Sequence, residues 1–208
     1  MTTYKEINGT NIEAVSTDPA NPVEGQVWYN TTDNVLKGLA KTTAGAWATG
    51  GNLNTGRADL GGAGATRDAA LAFGGGPPPA PNAKAITESY NGTAWTEVAD
   101  LNSQRASTAG AGTYTSAIAS GGDQYSGVAE SWNGSAWTNL ANSPNTGHSQ
   151  AGAGASNTNA LFFGGSPHGG NAKTVYWNGS SWAALNDLNT ARAGMAGAGK
   201  TYTAALGI

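Results

Sequence analysis

The residues that most resemble a chemical device are "GMAGAGKT", positions 194–201, which fit the phosphate-cradling pattern G-x-x-x-x-G-K-[ST]. That loop works when a buried strand delivers a ring of backbone N–H groups and a following helix turns its positive end toward the phosphates. Neither flank suits it. "LNDLNTARA" before it is polar, and "YTAALGI" after Thr201 carries no helical pattern. The same stretch also occurs four times, as "GRADLGGAGATRDAALAFGG", "QRASTAGAGTYTSAIASGG", "TGHSQAGAGASNTNALFFGG" and the copy that contains Lys200. Only that copy has Lys and Thr in the matching places, so a repeated Gly/Ala strand explains the motif. Lys200 is expected on a strand, at the position held by Ala65, Thr113 and Ala155 in the other copies.

Other chemistry is equally thin. The two histidines, His148 and His168, have no carboxylates at metal-ligand spacing. No G-x-S-x-G elbow accompanies the many Ser and Thr residues. Asp59, Asp68, Asp123 and Asp187 are scattered, whereas a calcium loop groups its acids. The sequons at Asn91, Asn133 and Asn178 coincide with Asn-Gly turns, which account for them. With no cysteine there is neither disulfide nor thiolate chemistry, as suits synthesis in a reducing cytosol. The expectation is a non-enzymatic protein with no catalytic, cofactor-binding or metal-binding residues.

Only 11% of the residues are charged and 32 of 208 are glycine, a composition of either disorder or short strands and tight turns. Seven Trp and seven Tyr favour strands, because disordered chains are poor in aromatics. A net charge of −3 offers no basic stripe to nucleic acid, and no apolar run is long enough to cross a bilayer. The opening "MTTYKEINGTNIEAV" lacks the pattern of a secretory leader, so Sec export is not expected.

Trp47, Trp95, Trp137 and Trp182 share a setting, and the last glycine of each Gly-Ala-Gly, at 64, 112, 154 and 199, follows its tryptophan at one fixed distance. The tryptophans themselves are unevenly spaced. Length therefore varies elsewhere, between each Gly-Gly pair and the next Asn-Gly, over residues 76–90, 123–132 and 166–177. Rigid segments alternating with variable loops suit stacked units whose insertions emerge on one face. Within a unit, "AITESY-NG-TAWTEV" reads as a hairpin with Asn91-Gly92 as a two-residue type I′ turn. "DAALAFGG" is a short apolar strand and "RADLGGAGA" a strand of small residues. Four strands per unit describe a propeller blade, with the Gly/Ala strand innermost and the outer tryptophans between blades.

The order of these features resembles the kelch repeat over about residues 35–208. The carrying positions are Gly74-Gly75, Gly121-Gly122 and Gly164-Gly165; Tyr90, Trp132 and Trp177; Trp95, Trp137 and Trp182; and Arg57, Arg105 and Arg192. Gly147 stands where a further Arg belongs, Gly207-Ile208 replaces a Gly-Gly pair, and Thr43-Ala44 replaces the first Asn-Gly. The resemblance implies an all-β, kelch-like β-propeller; four outer hairpins and four inner pairs make four blades, although kelch-like rings usually have more. One blade is closed by N- and C-terminal strands, the segment near 35–41 pairing with the strand ending at Leu206; two chains sharing a larger ring are the alternative.

Residues 1–34 lack the repeat. Asp18, Pro19, Asn21, Pro22, Gly25, Gln26, Trp28, Tyr29, Asn30 and Thr31 resemble a "DP.NP..GQ.WYNT" segment near the start of structural proteins of tailed bacteriophages. This resemblance implies a virion-attachment or capping segment and a virion protein assembled in the cytoplasm of the host bacterium. Its function would be that of a tail-fibre or adhesin-type module for host-surface recognition. A capsid or tail decoration acting as a spacer or knob is the alternative, and a free carbohydrate-binding lectin the alternative of another class. The implied partners are other virion proteins through the N-terminal segment, a host surface glycan or protein, and further copies of the chain in the particle; neither nucleic acid nor membrane insertion is expected. The candidate contact residues lie in the variable loops: Pro77, Pro78 and Pro79; Asp123, Gln124 and Tyr125; Pro167 and His168.

Overall fold

The structure is a computed structural model and describes residues 12–21, 26–38, 49–77, 82–122, 127–166 and 170–208. The chain divides into two compact units, residues 1–48 and 49–208.

In the first unit, β1 (Glu13–Val15) runs parallel to β2 (Val27–Asn30), which pairs antiparallel with β3 (Val35–Gly38). The aspartate of the Asp-Pro string organises this sheet. Asp18 Oδ1 accepts hydrogen bonds from Trp28 Nε1 (2.9 Å) and Asn30 Nδ2 (2.8 Å), and Oδ2 accepts one from Lys37 Nζ (2.8 Å). Those donors hold its carboxyl down at about pH 2, the Lys37 bond having the largest effect. Asn30 Oδ1 in turn caps the β2–β3 turn, accepting from Thr32 N and Asp33 N. Val35–Gly38, read from sequence as the opening of the repeat region, is thus the third strand of the N-terminal sheet. Its partner is β2, and residues 39–41 of the segment expected to pair with the strand ending at Leu206 lie outside the described residues.

The second unit is built from the repeat. Three four-stranded antiparallel sheets follow one another. The first holds β4 (Gly61–Thr66), β5 (Ala69–Phe73), β6 (Thr87–Tyr90) and β7 (Trp95–Val98). The second holds β8 (Ala109–Thr113), β9 (Ser116–Ser120), β10 (Ala129–Trp132) and β11 (Trp137–Asn139). The third holds β12 (Ala151–Ser156), β13 (Asn159–Phe163), β14 (Thr174–Trp177) and β15 (Trp182–Ala184). A fourth sheet has two strands, β16 (Gly197–Thr201) and β17 (Ala204–Gly207).

The small-residue strands β4, β8, β12 and β16 form a row, each packed beside the next. Crowding explains their composition. A Cβ on Gly110 would strike the carbonyl oxygen of Gly62; Gly152 stands in the same relation to Gly110, and Gly197 to Gly152. For Gly62, at the head of the row, a Cβ would meet, among the described residues, only the Leu71 carbonyl at 3.5 Å.

Large side chains fill the space between sheets. Leu71 and Phe73 of the first sheet pack with Ala117, Ala119, Trp132 and Trp137 of the second. The Phe73 and Trp137 rings meet edge-on at 5.0 Å, and Trp137 Nε1 donates to Thr87 Oγ1 across the same seam (3.0 Å). Ile118 of the second sheet packs with Ala160, Phe162 and Trp177 of the third. Each such buried aromatic or branched side chain contributes roughly 1.5–3 kcal/mol.

The hairpin turns differ from the expected two-residue form. β6 ends at Tyr90 and β7 begins at Trp95, leaving a four-residue loop in which Asn91 Oδ1 accepts from Thr93 N and Ala94 N. Only Gly92 takes a positive φ, 93°. Asn133 and Asn178 repeat this bonding. The Asn side chain caps the turn, so it need not adopt the left-handed conformation itself.

Candidate functional site: the rim loops

Each variable loop leaves a sheet at a Gly-Gly pair in which both residues have positive φ: Gly74 and Gly75 (68° and 83°), Gly121 and Gly122 (69° and 126°), Gly164 and Gly165 (66° and 103°). A side chain at the first of each pair would meet the backbone of the following link, at Arg105 O, Gly147 O and Arg192 O respectively. Glycine is required by that close approach as well as by φ.

The loop bases are tied to this frame. Gly75 N donates to Arg105 O (2.9 Å), and Lys84 N closes the first loop onto Gly75 O (2.7 Å). In the third repeat Gly165 N donates to Arg192 O (2.8 Å), and Asn171 N closes the loop onto Gly165 O (2.7 Å). The second loop is bracketed by Gly121 N to Val128 O (3.0 Å) and Ser143 N to Gly127 O (2.7 Å). Bridges between Ala58 and Gly76 and between His148 and Ser166 add the link segments to the same rim. His148 is half-buried there and its Nδ1 lies 2.9 Å from Ser149 Oγ. Of the candidate contact residues, Pro77 is exposed. Pro78, Pro79, Asp123, Gln124, Tyr125, Pro167 and His168 lie outside the described residues.

Under the rim lies a charge arrangement that the sequence reading did not single out. Glu88 and Glu130 have fully buried carboxylates. Arg105 Nη2 donates to Glu130 Oε1 (2.9 Å) and Nη1 to Val128 O (3.0 Å). Burial pulls the Arg105 guanidinium below its ordinary range, opposed by the attraction of Glu130. Arg57 Nη2 is 3.1 Å from Glu88 Oε1, an ion pair without hydrogen-bond alignment, and its Nη1 donates to Ile86 O (3.2 Å). The signal was present in the sequence: where Gly147 replaces the arginine, Val175 replaces the glutamate.

The row of inner strands lines a groove of about 790 Å³. Its walls are mostly glycine and alanine, with Thr66, Leu71, Thr113 and Lys200 also among the lining residues. Lys200 lies within β16 and Thr201 ends that strand, with the second strand of a hairpin after it. The phosphate-loop architecture of strand, loop and helix is therefore not what surrounds "GAGKT". Among the described residues no three His, Asp or Glu side chains gather as metal ligands do.

No family model matches the chain, and no curated protein matches it. The functional reading accordingly rests on the frame, the rim and the N-terminal segment.

Proposed function

We propose that this chain is a non-enzymatic structural protein of a tailed-bacteriophage particle, a tail-fibre or adhesin-type module whose rim loops contact the host surface. The sheets are read as blades of a kelch-like propeller and the first unit as the attachment segment toward other virion proteins. The observation that carries the reading is the contrast at the rim. Three loops of unequal length and composition leave four-stranded sheets of one topology, each at a Gly-Gly pair whose two residues both take positive φ. A rigid scaffold bearing variable loops is the usual arrangement for recognition.

The N-terminal resemblance supports placement on a particle. Asp18, Trp28 and Asn30, three of its residues, also have a structural task, since they form the hydrogen-bonded centre of the β1–β3 sheet. The string is thus a folding signature for a small sheet, and that sheet would be the element shared with other virion proteins.

Replacing the loops at 76–85, 123–127 and 166–173 with short Gly-Ser turns tests the reading. The expected result is a folded protein that no longer competes with particles for adsorption to host cells. Unchanged adsorption together with defective particle assembly would move the assignment to a decoration role.

A further inference from the structure

The links before the first and second sheets each contain a receptor for a carboxylate. Glu88 accepts from Asn54 N (2.7 Å) and Thr55 N (3.4 Å) and pairs with Arg57. Glu130 accepts from Asn102 N (2.7 Å) and Ser103 N (3.3 Å) and pairs with Arg105. In both cases the glutamate belongs to the third strand of a sheet and its receptor to the preceding link. The third link has lost three parts of the device together, while the counterpart of Ser103 N, Asn145 N, donates instead to Ser143 Oγ (3.2 Å). Pro144 replaces the N–H donor of Asn102, Gly147 the guanidinium and Val175 the carboxylate.

The fourth link keeps the receptor. Leu188-Asn189-Thr190-Ala191-Arg192 stands after Trp182 as Leu101-Asn102-Ser103-Gln104-Arg105 stands after Trp95. Its sheet ends at the second strand: β17 pairs with β16, and among the described residues no strand occupies its other edge. Arg192 is exposed, and among the described residues no ion pair or side-chain hydrogen bond engages it, whereas the Arg57 and Arg105 side chains are 0% and 5% exposed. Leu206 and Ile208 are 60% and 72% exposed, although their counterparts Leu161 and Phe163 are buried.

We propose that β17 with Asn189, Thr190 and Arg192 is a docking site for a β-hairpin of a partner protein, one that carries a glutamate in the strand added antiparallel to β17. The register follows from the complete sheets. Glu88 lies opposite Ala72 and Glu130 opposite Ala119, and the counterpart of both alanines is Gly207. The incoming glutamate therefore sits opposite Gly207, and the aromatic two residues after it, like Tyr90 and Trp132, opposite Ala205. Strand addition takes its affinity from main-chain hydrogen bonds and its specificity from side-chain sites, here a buried carboxylate on Arg192. The chain's own first tryptophan segment does not supply this group. Ala40 stands relative to Trp47 where Glu88 stands relative to Trp95.

The test is a titration of the ¹⁵N-labelled full chain with a disulfide-closed hairpin peptide bearing the sequence of residues 85–98. Saturable shifts are expected at the amides of residues 204–208 and at Arg192 Nε–H. Arg192→Ala in the chain, or Glu88→Gln in the peptide, weakens binding about tenfold or more, as loss of a charge-assisted bond requires. Arg192 is exposed, so its alanine variant keeps the fold. Absence of shifts at β17 with millimolar peptide, or equal affinity of the Glu and Gln peptides, would overturn the proposal. So would a dimer of the chain that occupies β17 and survives Arg192→Ala.

Discussion

Substituting Glu130 by valine, the residue that its counterpart Val175 already is, perturbs the buried pair at its most connected point. The variant strands the Arg105 guanidinium, 5% exposed, and removes the acceptor for Asn102 N and Ser103 N. Breaking a buried pair from one side costs about 3–5 kcal/mol, because the remaining charge is left without a partner. At a urea slope of about 2 kcal/mol per molar, the unfolding midpoint falls by about 1.5–2.5 M. The third repeat shows how the same space is filled without charge. Asn145 Nδ2 donates to Gly164 O (3.0 Å) and Lys173 O (3.4 Å), doing for Lys173 O what Arg105 Nη1 does for Val128 O. Gln150 Nε2 then donates to Asn145 O and Gly147 O. Transplanting that set into the second repeat, as N102P, S103N, Q104T, R105G and T108Q together with E130V, should recover at least half of the loss. Tryptophan fluorescence against urea reads both variants. A loss below about 1 kcal/mol for Glu130→Val, or a transplant no more stable than the single variant, would refute the assignment of the pair as a unit.

Gly110→Val should destabilise by about 3 kcal/mol or more, since its Cβ would strike Gly62 O and the Phe73 ring. Gly62→Val, whose added side chain meets among the described residues only the Leu71 carbonyl, should change the midpoint little; equal effects in urea melts would contradict this account of the row's crowding. The Asp18 carboxyl, held at about 2 against an ordinary 3.8, favours the folded first unit above pH 4. That stabilisation is lost as pH falls from about 4 to about 2, and Trp28 fluorescence should change in that window for the parent chain and not for Asp18→Asn. Lys200→Ala should leave calorimetric titration with ATP as flat as in the parent chain, because Lys200 belongs to a hairpin strand.

Much of the frame was legible because repetition separates what the fold fixes from what it tolerates. The constant distance from tryptophan to Gly-Ala-Gly located the strands that pack in a row, and the Gly-Gly pairs marked the positive-φ exits of β5, β9 and β13. Turn type was misread because Asn91 can serve an Asn-Gly turn in two ways, and its side chain here caps a longer loop. The pairing of Val35–Gly38 with β2 was hidden because a short strand does not declare its partner, and the Lys37–Asp18 pair that accompanies it joins residues far apart in sequence. The buried Arg–Glu units escaped notice because charged residues read as surface. Only comparison of Arg105 and Glu130 with Gly147 and Val175 reveals them as paired.

The central proposal, a particle component that holds its rim loops toward the host, is tested most directly by locating the chain on purified virions. Gold-labelled antibody raised against this protein, viewed by electron microscopy, should decorate the tips of the tail fibres. Virions that carry no label, and whose protein content lacks this chain, would contradict it.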